Sequence, residues 1–257
     1  MKNKFAFKDK LITEIGQLHH GGNFVLDKGL PYDLYAGYIK SFSKYIKMIK
    51  LGWTSWSLLS DEDLQKKIDL AKEYNIPLCL GGSLFEISYN RGLYDELLEF
   101  VTENNFHSIE LGSGFAVNAE ELPDAIKKAK AKNLSVMVEI GFKNQELDDS
   151  LSIEDRMSHI TSAVEAGADY IILEAREQGE GYSVFKKDVK ENEKLLKEIL
   201  DYLPIDKVIF EAPNRNSQVP LILKVGSDVN LGNIPFDELM RVETFRRRLH
   251  ADTFIKK

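Results

Sequence analysis

The 257 residues include one cysteine, Cys79, and five histidines. A single thiol excludes a disulfide framework, and the neighbours His19 and His20 have no cysteine partner for a structural zinc site. There is no surplus of positive charge either. Lys plus Arg number 34 against 41 Asp plus Glu, a net charge of −7, which argues against a general electrostatic grip on nucleic acid or an anionic membrane surface. Any anionic ligand must then be held by local cations. No run reaches the ~18 apolar residues of a membrane span, and the opening MKNKFAFKDKLI lacks the apolar stretch of a leader, so a soluble protein of a reducing cytoplasm is expected. No low-complexity linker divides the chain, and no Gly-x-Gly-x-x-Gly follows the first apolar run, which argues against a dinucleotide site. With 43% apolar and 29% charged residues, the chain can bury a sizeable core.

A repeating order of strand then helix is present. Short runs rich in Val, Ile, Leu and Phe recur at Phe24 to Leu26, Ile46 to Leu51, Pro77 to Leu80, Ser108 to Leu111, Val136 to Ile140, Tyr170 to Leu173, Val208 to Phe210 and Val229 to Leu231. Such runs read as strands buried on both faces. Helix starts lie between them: Ser60 with Asp63, Asn118 with Glu121, and Ser152 with Asp155, the last of these helices stopping at Gly167. A seventh helix is expected over about Gln218 to Lys224, stopping at Gly226, and an eighth from about Phe236 to Leu249. Eight such units in a length close to the usual barrel of about 250 residues predict a single (β/α)8 TIM barrel over residues 19–257. Residues 1–18 form a short N-terminal extension, expected under the barrel. The aromatic residues Tyr32, Tyr35, Tyr38, Phe42 and Tyr45 recur at helical spacing and read as a core stripe rather than a base-stacking platform.

In such barrels the chemistry collects where the strands end. Glu110, Glu139, Glu174 and Glu211 each follow apolar residues on the fourth to seventh strands. Four converging carboxylates need a cation, a bound lysine or a proton to relieve them, and hard oxygen ligands suit Mg²⁺. Cations stand at the same level: Lys28 beside Asp27 after the first strand, Lys50 at the end of the second, Lys143 after the fifth and Arg176 after the sixth. Carboxylates and cations together suit a small polyanion bridged by a metal. Gly81-Gly82-Ser83 lets backbone N–H groups approach a ligand after the third strand. Gly232-Asn233-Ile234, with Asn230 before it and Arg247 as a helper, is the candidate phosphate cradle. In the run Arg246-Arg247-Arg248, one side chain is expected on a functional face and two in solvent.

Taken together, Val25-Leu26-Asp27-Lys28-Gly29-Leu30-Pro31, Lys50-Leu51-Gly52-Trp53, Gly81-Gly82-Ser83-Leu84-Phe85-Glu86, Glu174-Ala175-Arg176-Glu177, Phe210-Glu211-Ala212-Pro213, Asn230-Leu231-Gly232-Asn233 and Glu243-Thr244-Phe245-Arg246-Arg247 resemble the phosphosulfolactate synthase family, from the first strand to the C-terminus. That resemblance implies a TIM-barrel carbon–sulfur lyase that adds sulfite to phosphoenolpyruvate with Mg²⁺ through an enediolate, its product leading to coenzyme M in methanogens. The family also has bacterial members and plant heat-stress relatives. The resemblance further implies Glu110, Glu139 and Glu174 as metal or metal-water ligands, Lys143 as the proton donor, and Lys50 and Arg176 on carboxylate or sulfite. Asp27, Lys28, Glu86, Glu211, Asn230, Gly232, Asn233 and Arg247 would bind substrate, and the assembly is expected to be a homo-oligomer. The chain departs from the family pattern at three points: Thr54 replaces a glycine, Gly112-Ser113-Gly114 replaces a Ser-Asp-Gly or Ser-Asn-Gly sequence, and His250-Ala251 replaces an arginine pair with Gly or Ser. Two other readings follow from these departures: a relative that has lost the synthase reaction and serves as a binding or stress-related protein, and a phospho-acid enzyme that uses another nucleophile.

Overall fold

Each of the eight apolar runs forms a strand in the structure, a computed structural model that describes residues 4–12, 19–173 and 189–254. The strands are β1 (Asn23–Asp27), β2 (Met48–Leu51), β3 (Leu78–Leu80), β4 (Ser108–Gly112), β5 (Ser135–Ile140), β6 (Tyr170–Leu173), β7 (Val208–Glu211) and β8 (Asn230–Pro235). All neighbours pair in parallel, and β8 closes on β1, so the sheet is a closed eight-stranded barrel. The helices are α1 (Ala6–Lys10), α2 (Tyr32–Phe42), α3 (Asp61–Glu73), α4 (Gly82–Asn90), α5 (Tyr94–Glu103), α6 (Leu122–Ala131), α7 (Gln145–Ser150), α8 (Ile153–Glu165), α9 (Val189–Tyr202), α10 (Arg215–Lys224) and α11 (Leu239–Arg246).

Local chemistry accounts for the element ends. Ser60 accepts a hydrogen bond from the Asp63 amide at the start of α3, and Asn118/Glu121 and Ser152/Asp155 form capping boxes ahead of α6 and α8. Gly167 and Gly226 take left-handed conformations where α8 and α10 stop, as expected. Two helices differ from expectation. α10 begins three residues early because Asn214 caps it, accepting from the Asn216 amide. The last helix is preceded by a 3-10 turn over Phe236–Glu238 and ends at Arg246, with Arg248 in the left-handed region. The residues of the extension that adjoin the barrel, 13–18, lie outside the described residues.

Strand parity sorts the side chains. Phe24, Met48, Cys79, Met137, Ile172 and Ile209 form the apolar filling inside the barrel, while Val25, Ile49, Ile109, Val138, Ile171 and Phe210 pack outward under the helices. Two residues further along their strands, Lys50, Glu139 and Glu211 project into the same interior from the C-terminal end, joined by Glu110 from β4. A charged layer thus lies directly on an apolar one. At the opposite end the β1/β8 seam is tied by Arg246, which is fully buried. Its guanidinium donates to Asn23 Oδ1 (3.1 Å), to the Ser227 and Val229 carbonyls (both 2.6 Å) and to the Gly22 carbonyl (3.0 Å). Burial pulls its pKa down to about 10, against the nearby Glu243 and Asp228 charges.

Trp53 and Thr54, just past β2, both have positive φ, at 54° and 78°. A β-branched residue pays for this conformation, which a glycine adopts without strain. Thr54→Gly should therefore raise stability by about 1 kcal/mol, read as a higher urea midpoint at unchanged m-value.

Candidate active site

A cavity of about 280 Å³ opens at the C-terminal end of the barrel, lined by Lys28, Lys50, Glu110, Glu139, Lys143 and Glu211 together with Trp53, the Gly81-Gly82-Ser83 turn, Pro213 and Asn233. Each charged residue arrives there for a local reason. Lys50 is the last inward side chain of β2, and its ammonium lies 2.8 Å from Glu110 Oε2 and 3.3 Å from Glu211 Oε1. Burial works against that charge, yet Glu110, Glu211 and Glu139 hold Lys50 protonated well above the ordinary lysine value. The other Glu110 oxygen accepts from the Gly82 amide at 2.9 Å. This brings the carboxylate against the N-terminus of α4, where the helix dipole favours negative charge. The approach is close: a Cβ on Gly82 would press on both carboxylates, 3.2 Å from Glu110 Oε1 and 3.3 Å from Glu139 Oε2.

Lys143 reaches back four residues to pair with Glu139. Burial pushes the Glu139 carboxyl up to about 7; the Lys143 ammonium pulls it down, and the Glu211 and Glu110 charges push it up again. Burial lowers the Lys143 pKa, but the Glu139 and Glu211 charges outweigh it and leave that lysine above its usual value. The pair is therefore an ammonium beside a carboxyl that titrates near neutrality. Because a folded-state pKa above the unfolded one means proton uptake on folding, the Glu139 contribution is most favourable below about pH 4.5 and is lost as pH rises through about 7. In EDTA-containing buffer, the stability difference between Glu139→Gln and the parent should shift toward the variant from pH 5 to 7 and stay constant from pH 8 to 9. Urea melts at these pH values would show it, and a gap independent of pH would contradict the assignment.

On the β8 side, Asn23 pairs with Leu231 but Val25 pairs with Ile234, so β8 carries an extra residue at Gly232-Asn233. This bulge turns Asn233 (φ 54°) toward the cavity, where its Oδ1 is buried with no hydrogen-bond partner. Lys28 lies across the mouth with its ammonium 4.8 Å from the centroid of the Trp53 ring.

Lys28, Lys50, Lys143, Glu110, Glu139, Glu211 and Asn233 thus come together as the strand-end pattern suggests, with Gly232 in the bulge beneath Asn233. Glu174 and Arg176 lie outside the described residues. Four other candidates face elsewhere. Asp27 is buried on the helix side, accepting from the Gly29 and Leu30 amides at 2.9 and 2.8 Å and from Lys67 Nζ at 2.6 Å. Glu86 is buried among backbone amides of the loop after β4. Asn230 starts β8 rather than ending it, so its amide spans the barrel floor, accepting from Gly22 N and donating to the Asp206 and Val208 carbonyls. Arg247 closes α11, which runs from the cavity end down to the floor, and pairs there with Glu243 at 3.2 Å. The triple-arginine run places Arg246 in the core rather than on a functional or solvated face.

Trp53 and Pro213 line the cavity without having been given a role of their own, although both stand inside the strand-end motifs. Lys67 carried one signal: it shares the helical stripe of Leu64, Ile68 and Ala71, where a lysine must find a buried partner.

A closed parallel barrel with a pocket of lysines and glutamates at its C-terminal end defines a TIM-barrel enzyme with a small-molecule site. Residues 17–252 match the (2R)-phospho-3-sulfolactate synthase (ComA) family, and the chain belongs to it. It is 41% identical to the phosphosulfolactate synthase of Methanocaldococcus jannaschii over 92% of this chain and 94% of that protein. With the phosphosulfolactate synthase of Methanothermobacter thermautotrophicus it shares 33% identity over 92% of each. Type I 3-dehydroquinate dehydratase from Clostridium difficile shares the fold, with a TM-score of 0.55 at 15% identity, covering 92% of this chain and 96% of that one. Among the described residues, no helix is long and apolar enough to cross a membrane.

Proposed function

We propose that this enzyme adds sulfite to phosphoenolpyruvate with Mg²⁺, giving phosphosulfolactate. The observation that carries the reading is the cavity itself, in which three lysines and three glutamates face one space at the strand ends. Phosphoenolpyruvate and sulfite are both polyanions, and Lys28, Lys50, Lys143 and the N-terminus of α4 supply positive potential around that space. The sulfur lone pair of sulfite attacks the terminal carbon of phosphoenolpyruvate, and the π electrons move into the carboxylate to give an enediolate. Lys50, held protonated by its glutamates, is placed to face that developing charge. Lys143, held beside Glu139, then delivers a proton to the carbon bearing the phosphate.

The donor set is compatible with Mg²⁺. Among the described residues no three His, Cys, Asp or Glu side chains form a metal cage. Mg²⁺, however, commonly takes one or two carboxylates and completes its shell with waters and substrate oxygens. Glu110 and Glu139 face a common point beside Gly82, burial and then the neighbouring Glu211 and Glu110 charges raise the Glu139 pKa, and Asn233 Oδ1 is buried without a partner. Those residues would hold the ion, which supplies charge neutralisation at the substrate carboxylate. Glu174 belongs to the same proposal, as do Arg176 on carboxylate or sulfite, a cytoplasmic setting consistent with the lone buried thiol of Cys79, and assembly as a homo-oligomer.

Purified protein given phosphoenolpyruvate, sulfite and Mg²⁺ should consume both substrates in equal amounts and release no free phosphate, and EDTA should stop the reaction. Consumption of phosphoenolpyruvate without sulfite, or with another nucleophile in its place, would instead identify a different phospho-acid enzyme. No turnover in the presence of tight ligand binding would identify a binding protein.

A further inference from the structure

Glu86 lies in the middle of α4 at 1% exposure, and among the described residues no cation pairs with it. Its carboxylate is surrounded instead by four successive backbone amides of the loop after β4: Gly114 N at 3.0 Å on Oε1, and Phe115 N, Ala116 N and Val117 N at 2.8, 2.7 and 3.3 Å on Oε2. A fan of amides around an anion is the arrangement by which proteins bind phosphates and other anions, and each charge-assisted bond is stronger than a neutral one. Here the anion is a side chain of the protein itself. The bonds fix the loop between β4 and the Asn118 capping box, a stretch with no other regular structure.

The other face of that loop carries Lys143. The Gly114 carbonyl accepts from the Lys143 amide at 3.0 Å. A Cβ on Gly114 would stand 3.0 Å from Lys143 Cγ, 3.4 Å from Lys143 Cε and 3.1 Å from Glu86 Oε1. The aliphatic stem of the lysine therefore rests on the bare Cα of Gly114, with the Glu86 carboxylate directly behind. A lysine on an irregular segment has four rotatable bonds, so the position of its ammonium depends on the surface beneath its stem.

We propose that Glu86 is a positioning residue that acts through Gly114, holding the loop as the bed on which Lys143 lies so that the lysine ammonium stays beside Glu139 and over the reacting carbon. The inference rests on the proposed role of Lys143 in proton delivery. It also gives the glycine at 114 a role, since a methyl group there would press on both partners. Glu86 lines no part of the cavity and leaves Lys28 and Lys50 untouched, so its loss should act on the proton step rather than on substrate capture.

The test combines Glu86→Gln, which keeps the shape but presents an NH₂ group to amides that need an acceptor, with Gly114→Ala, which keeps the carboxylate and displaces the stem. Each is expected to lower kcat by about 10²-fold, the scale of a misplaced catalytic group, with the KM for phosphoenolpyruvate changed less than about threefold. A readout independent of turnover is the Cε resonance of Lys143 in protein labelled with ¹³C-lysine, assigned by its loss in Lys143→Arg. That resonance should move toward the position of solvent-exposed lysines in both variants while the Lys50 signal stays in place. If Glu86→Gln fails to fold, Gly114→Ala alone decides the matter. An unmoved Lys143 resonance overturns the proposal, as does a rise in KM at constant kcat. Absence of synthase activity in the parent protein would count against the reaction, while the resonance would still report whether Glu86 positions Lys143.

Discussion

Lys50→Met should lower the turnover of phosphoenolpyruvate and sulfite by at least about 10³-fold, the upper end of what removing one preorganised electrostatic partner costs. The lysine is the central cation of the cavity, within 3.3 Å of both Glu110 and Glu211, and its charge is sustained by three glutamates at once. Methionine fills much of the same volume above the Met48 layer, so the core stays packed while the charge disappears. The substrate carboxylate would then lose the cation set between Glu110 and Glu211. Lys50→Arg should rescue little, because a planar fork cannot occupy a site shaped for a compact ammonium. Steady-state assays with near-UV circular dichroism as a folding control check both results. Activity within tenfold of the parent would remove Lys50 from the chemistry.

The largest stability effect is expected at Lys67, away from the cavity. Lys67 Nζ lies 2.6 Å from Asp27 Oδ2, both side chains are 1% exposed, and the ammonium also faces the Tyr35 ring at 4.9 Å. Removing one partner of such a pair leaves a buried charge uncompensated, so Lys67→Met should lose about 3–5 kcal/mol in urea or thermal denaturation. The double variant Lys67→Met/Asp27→Asn should recover part of that loss, since neither side chain is then charged. Asp27 also holds the Gly29 and Leu30 amides, so the single variant should loosen the turn that carries Lys28. If the double variant were no more stable than the single one, the uncompensated charge would not be the cause.

How far the chain could be read without coordinates depended on the range of the signal. The eight strands are local patterns, and the glutamates that follow them inherit their inward direction from strand parity; Lys50, Glu110, Glu139 and Glu211 were legible for that reason. Asn230 has the inward parity of Gly232, but a two-residue difference along β8 separates floor from cavity, and nothing local marks which end a residue occupies. Arg247 could be placed only by following α11 to its far end. Glu86 and Asp27 were recognisable as strand-end or motif residues, yet their carboxylates are taken up by amides and a lysine brought together by the fold. Charge alone does not distinguish a residue that meets a ligand from one that meets the backbone.

The seam between β1 and β8 has a further consequence for how the chain reaches this structure. Arg246 binds Asn23 across 223 residues of sequence and Gly22 across 224. Contacts of such separation carry a large loop-closure entropy and form late in folding. During synthesis the first strand therefore emerges without the partner that closes the barrel and must wait until β8 and Arg246 have left the ribosome. Until then β1 presents an unpaired edge, a template for intermolecular strand pairing.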